Sequence, residues 1–192
     1  MTPEIEAKFL NINKDEMRKR LKEKGAKLIR PEFLQKRVNF HLPKEKQSKD
    51  AWLRVRDEGD KITLSLKMIT GEKIEDQKEI SFIVEDFNKA VILLEAIGCE
   101  RRVLQESKRE LWQINDVDIT IDEWPGLEPF VEIEGKSENE VRNIAQLLNF
   151  NYNDAVFGAV GKVYKMRYGI SLDEMEQKVG EITFVNKKLK YL

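Results

Sequence analysis

Asp116-Val117-Asp118-Ile119-Thr120-Ile121-Asp122 alternates a polar side chain with a branched apolar one at every step. Successive residues of a strand point to opposite faces, so this stretch reads as a strand with one apolar face and one face rich in carboxylates. The same period recurs on both sides of it. Ile62, Leu64, Leu66 and Met68 alternate with Lys61, Thr63, Ser65 and Lys67, and Val38, Phe40 and Leu42 alternate with Arg37, Asn39 and His41. Leu53 and Val55 alternate with Arg54 and Arg56, Val131 and Ile133 with Glu132 and Glu134, and Ile5 and Ala7 with Glu4, Glu6 and Lys8. The 107–114 segment is less regular, because Leu111 shares a face with Arg109.

Helices are marked by their ends. Asn13 with Glu16, Asp86, Ser137 with Glu140, and Ser171 with Glu174 are N-terminal caps, while Gly25, Gly98 and Gly169 are stops. The first helix carries Met17 and Leu21, the second Ala90, Leu93, Leu94 and Ile97, and the third Val141, Ile144, Leu147 and Leu148. A less regular helical stretch is expected from Asp154 to about Tyr168.

The polar faces decide the chemistry. An ordinary amphipathic strand shows water a loose mixture of polar groups. Here one strand offers two carboxylates and a lysine, another two arginines, another two more carboxylates, each aimed one way about 7 Å apart. If the strands curl into a barrel with the helices outside, these faces converge inward. Such an interior is costly when dry, so the expectation is a hydrated tunnel whose charge awaits a ligand. Lys8, Arg54, Arg56, Lys67 and Arg109 suit phosphate oxygens. Glu4, Glu6, Asp122, Glu132 and Glu134 would repel phosphate unless Mg²⁺ or Mn²⁺ stands between, and hard oxygen ligands select those ions. A metal-dependent polyphosphate site accommodates both sets.

Glu4-Ile5-Glu6-Ala7-Lys8 resembles the ExExK signature of the CYTH superfamily, the triphosphate tunnel metalloenzymes. The ordered series that follows strengthens the resemblance: Trp52-Leu53-Arg54-Val55-Arg56, Thr63-Leu64-Ser65-Leu66-Lys67, Lys108-Arg109-Glu110-Leu111-Trp112, Asp118-Ile119-Thr120-Ile121-Asp122, and Gly126 through Glu134. It covers roughly residues 3–150, within a single domain expected to span 1–192, with 151–192 a C-terminal helical segment and tail. The resemblance implies an α+β fold: a closed antiparallel eight-stranded barrel with helices packed outside. It also implies that Glu4, Glu6 and Lys8 are catalytic. By the same analogy Lys8, Arg54, Arg56, Lys67, Arg109 and the adjacent Lys108 hold phosphate, and Glu4, Glu6, Asp122, Glu132 and Glu134 hold Mg²⁺ or Mn²⁺. Glu79 falls where the family often has an inward carboxylate. Two departures stand out. Many members carry a lysine where this chain has Ser107, and alternation must turn either Lys108 or Arg109 outward unless a bulge intervenes. Many also carry a Ser-Tyr pair near the end, where this chain reads Gly161-Lys162-Val163-Tyr164, so Lys162 and Tyr164 are the candidates for a C-terminal plug.

Composition excludes several classes. The 192 residues hold 34 basic and 35 acidic side chains, a net charge of −1, which argues against bulk electrostatic binding of nucleic acid. No apolar run approaches the roughly 20 residues that span a bilayer, and the N-terminus is acidic rather than signal-like. With Cys99 as the sole cysteine, no internal disulfide forms, and a cytoplasmic monomer or homodimer is expected. Gly158-Ala159-Val160-Gly161-Lys162 is too short for a Walker loop. Three functions then compete: a Mg²⁺/Mn²⁺ hydrolase of inorganic triphosphate, thiamine triphosphate or a nucleoside triphosphate; a class IV adenylyl cyclase converting ATP to cyclic AMP and pyrophosphate; and a non-catalytic polyphosphate or nucleotide receptor.

Overall fold

The computed structural model describes residues 2–48, 50–71 and 73–191. Among them β1 (Thr2–Pro3), β2 (Ile5–Phe9), β3 (Lys27–His41), β4 (Ala51–Asp57), β5 (Ile62–Ile69), β6 (Gln77–Val84), β7 (Glu100–Ile114), β8 (Val117–Glu123) and β9 (Phe130–Gly135) form one sheet. Its order is β1-β6-β5-β4-β3-β7-β8-β9-β2, and every pairing is antiparallel. β1 and β2 are halves of one N-terminal stretch broken at Glu4, so eight chain passes build the sheet.

The α+β class holds, but the expected closed barrel is not formed: the sheet is a curled, open half-barrel. The reason lies in how the N-terminal stretch divides its partners. β2 pairs with β9 along its whole length, whereas backbone contact with β6 is limited to Thr2 and Pro3, opposite Glu79 and Lys78, and one 2.8 Å bond from the Glu4 N–H to the Gln77 carbonyl. The second edge of β2 is already taken, since Lys8 exchanges backbone hydrogen bonds of 3.0 and 2.9 Å with Val156. A strand has only two edges, so β2 cannot also zip to β6.

The period-two reading fixes which face is which. Ala7, Val117, Ile119, Ile121, Val131 and Ile133 point outward into a core closed by α1 (Lys14–Glu23) and α3 (Glu138–Leu147), through Met17, Leu21, Val141 and Ile144. Val38, Val55 and Leu64 meet α2 (Phe87–Ala96) in a second core that includes Cys99. A third core joins α4 (Gly161–Tyr168) and α5 (Leu172–Val179) to Trp124 and Phe130. With their apolar faces covered outside, the strands present charge to the concave side.

The caps are where the sequence puts them. Asn13, Asp86, Ser137 and Ser171 side chains accept the orphan backbone N–H groups of their helices, and Gly25 and Gly169 are left-handed. Three details differ. α2 buries Ala90, Val91 and Leu94, leaving Leu93 and Ile97 exposed, and Leu147 of α3 is partly exposed. The stretch expected to be helical from Asp154 starts as helix only at Gly161.

Candidate active site

The curled sheet encloses a cavity of about 330 Å³ lined by the polar faces of β2, β3, β4, β5, β6, β7 and β9. Its charge is sorted in a way that strand register makes plain. Arg37 of β3 stands directly opposite Arg56 of β4, and Glu6 of β2 directly opposite Glu134 of β9. Like charges directly opposite on one sheet face destabilise it. Two such pairs of opposite sign in one cavity give it a cationic region and an anionic region.

In the anionic region, carboxylate oxygens of Glu4, Glu6 and Glu134 lie within 4.8 Å of one another. Gln77 Nε2 donates to Glu4 at 2.5 Å and to Glu6 at 2.9 Å, and Lys67 donates to Glu4 at 2.6 and 2.7 Å. Burial pushes the Glu4 carboxyl up to about 7, with Glu6 and Glu79 adding to the rise and Lys67 opposing it. Among the described residues Glu134 has no side-chain ion pair, and its side chain is exposed to solvent. Burial of its inner side and the charges of Glu6, Glu4 and Glu132 push it up to about 7 as well. Three crowded carboxylates short of positive charge are the donor set a hard divalent cation requires, so Glu4, Glu6 and Glu134 fit Mg²⁺ or Mn²⁺.

The other acidic candidates are spoken for. Asp122 is fully buried, accepts two 2.7 Å bonds from Arg109 and one of 2.8 Å from Thr120, and does not line the cavity. Glu132 lies between Lys8 and Arg109, each 2.9 Å away; although burial works against it, they hold its carboxyl well below the usual range. Glu79 does face inward, 3.1 Å from Arg54 and 3.0 Å from Lys67. Lys8 also faces inward, 2.5 Å from Glu6.

The cationic region gathers Arg37, Arg54, Arg56 and Arg109, with Lys67 at its edge. Burial and the nearby Arg54 lower Arg56 to about 10. The Nε atoms of Arg37, Arg54 and Arg56, with Asn39 Oδ1 and Gln77 Oε1, are buried without a hydrogen-bond partner. Buried polar groups are normally satisfied, so this concentration marks a place a ligand completes.

Lys108 is not brought to the site. Alternation on β7 turns Arg109 inward and Lys108 outward, 3.5 Å from Glu123 and over the Phe184 ring. Lys162 is exposed, and Tyr164 is buried with its hydroxyl donating to the Pro125 carbonyl at 2.8 Å, so neither reaches the cavity. Ala159, Val160, Gly161 and Leu172 line it instead. The sequence reading missed Arg37, Asn39 and Gln105, although Arg37 and Asn39 share the polar face of an identified strand. It also missed Arg102, which a β-bulge re-aims: two β7 residues, Arg102 and Val103, oppose the single Asn39.

A model of the CYTH domain matches residues 2–157. This chain belongs to the CYTH domain family. A Methanocaldococcus jannaschii protein named "Putative adenylate cyclase" is 27% identical over 147 residues, covering 76% of this CYTH chain and 83% of that protein. A Vibrio parahaemolyticus structure of the same designation superposes with a TM-score of 0.72 at 15% identity, over 85% of this chain and 98% of that one. A Hippeastrum protein, described as an adenylyl cyclase candidate with a dominant triphosphatase activity, has a TM-score of 0.58 at 14% identity, over 90% of this chain and 98% of that one. The last two likenesses establish the shared fold.

The raised carboxyls make metal binding and stability pH-linked. With folded values near 7 against 4.5 ordinarily, Glu4 and Glu134 keep protons the unfolded chain has released. Their contribution is therefore full below about pH 4.5 and is lost as pH rises through 7. A divalent cation replaces those protons, so Mg²⁺ or Mn²⁺ should raise Tm more at pH 8 than at pH 5.5. Thermal unfolding at both values, with and without metal, checks this; an equal shift at each pH would contradict it.

Proposed function

We propose that this CYTH protein is a divalent-metal-dependent hydrolase of a triphosphate substrate. The observation that carries this reading is the pair of opposed like-charge contacts, Arg37–Arg56 and Glu6–Glu134, facing one cavity. A simple anion receptor needs the arginines but gains nothing from Glu4, Glu6 and Glu134. A simple metal site needs the carboxylates but gains nothing from the arginines. A polyphosphate carrying a divalent cation uses both.

Arg54 and Arg56, two residues apart on β4, point at one side of the bound chain of phosphates, and Lys67 on the next strand extends the row. Their unpaired N–H donors would take up non-bridging oxygens and hold the substrate alike before and during P–O cleavage. Lys8, held between Glu6 and Glu132, carries positive charge to the boundary between the two regions. Bound to Glu4, Glu6 and Glu134, the cation would supply charge neutralisation at phosphate oxygens and a more acidic water.

The test is incubation of purified protein with Mg²⁺ or Mn²⁺ and, separately, tripolyphosphate, ATP and thiamine triphosphate. Phosphate release supports the proposal. Cyclic AMP with pyrophosphate would replace it by the cyclase reading, which the M. jannaschii relative's name raises, and metal-dependent binding without product by the receptor reading. Arg56→Ala is expected to raise KM about tenfold while changing kcat far less, since the lost group holds substrate in ground and transition states alike. A fall confined to kcat would place Arg56 elsewhere in the reaction.

A further inference from the structure

Each cation lining the cavity faces a carboxylate, with one exception. Lys8 has Glu6 and Glu132, Lys67 has Glu4 and Glu79, Arg54 has Glu79, Arg56 has Glu58, Arg102 has Glu176, and Arg109 has Asp122 and Glu132. Among the described residues Arg37 has none. Its Nη2 donates to Gln35 Oε1 at 2.7 Å and to Ser107 Oγ, both neutral, and its Nη1 and Nε make no bond. It is 5% exposed, too deep for bulk water to solvate its charge.

The guanidinium is also held in place. The Trp124 ring lies 4.3 Å from Arg37 Cζ. Ser107 Oγ donates to the same Gln35 oxygen at 3.2 Å, so two side chains on paired strands, together with Trp124, fix its plane. Burial above all, then Arg56, Arg54 and Arg109, depress its pKa, with Asp122 opposing them. A scaffold that rigidly orients a desolvated cation beside three others is preorganised for an anion.

We propose that Arg37 binds a phosphoryl group of the substrate through Nε and Nη1, with Gln35, Ser107 and Trp124 as its positioning residues. This rests on the triphosphate reading above. It makes β3 a contributor of binding charge alongside β4 and β5, and it assigns Ser107 the task of holding a cation that reaches in from the neighbouring strand.

Two readouts test it: tripolyphosphate binding in EDTA by calorimetry, and KM and kcat with Mg²⁺. R37Q should weaken metal-free binding and raise KM about tenfold or more, with kcat within about threefold of wild type. R37K should fall between, because it keeps the charge but not the forked geometry. Adding S107K to R37Q, which returns a cation to the adjacent strand position, should recover most of the lost affinity. A merely structural Arg37 would give no such rescue. Wild-type affinity in R37Q, or a loss that neither R37K nor S107K relieves, overturns the assignment while the function stands. Absence of tripolyphosphate binding by the wild type overturns the function, and this assignment with it. Should R37Q not fold, the ¹⁵Nε–H resonance of Arg37 in the wild type decides: a shift on saturation with tripolyphosphate supports contact, and no shift refutes it.

Discussion

Glu134→Gln is expected to stabilise the metal-free protein while lowering metal-dependent tripolyphosphate hydrolysis about 100-fold or more, since a bound cation contributes several kcal/mol of charge stabilisation. The two effects share one cause. Glu134 stands opposite Glu6 and makes no ion pair, so its charge repels its neighbours while no cation is bound. Glutamine keeps the shape and removes that repulsion. For an exposed cross-strand pair the gain is about 0.5 kcal/mol, or about 1–2 °C in a chain of this size. The same substitution removes one of three carboxylates that a divalent cation would bridge, so Mg²⁺ should no longer raise Tm appreciably. Thermal unfolding in EDTA and in Mg²⁺, set beside kcat/KM, reads both. A variant that loses stability and keeps its activity would show that Glu134 is a structural group and that the cation, if used, binds elsewhere.

Much of this site is legible in the sequence because a strand's two faces are written in alternate letters. Glu4, Glu6, Lys8, Arg54, Arg56, Lys67 and Glu134 all occupy the concave side as the alternation requires. What alternation does not carry is phase at irregular points and pairing across distance. Lys108 and Arg109 are adjacent, and only the register with β8, which sets Arg109 opposite Asp122, settles which of them enters. Arg102 enters through a bulge that has no local signature. The phase of α2 is similarly hidden, because Phe87 to Ile97 is apolar at so many positions that several faces could be buried. Whether the sheet closes depends on Val156, far along the chain, occupying the second edge of β2. Asp122 and Glu132 read as metal ligands from the carboxylate-rich strand faces and the family resemblance, whereas in the fold Arg109 pairs with both and Lys8 with Glu132.

That last reassignment predicts different consequences for two arginines that look alike in the sequence. Arg109→Ala should destabilise the fold by about 3–5 kcal/mol, the usual result of stranding one half of a buried ion pair. Arg109 holds Asp122 through two 2.7 Å bonds and Glu132 through one of 2.9 Å. Asp122 is completely buried, so without Arg109 it must either keep an uncompensated charge or take up a proton. Among the described residues Arg56 ion-pairs only with Glu58, at 2.6 Å, and it stands against Arg37, so its loss relieves a repulsion as it breaks one contact. Urea denaturation should therefore show a large fall in midpoint for Arg109→Ala and a small one for Arg56→Ala. Pairing Arg109→Met with Asp122→Asn should recover more than half the loss, since both halves of the stranded pair are then neutral. If Arg109→Ala unfolds at the wild-type urea concentration but no longer binds tripolyphosphate, Arg109 belongs with the ligand-binding arginines.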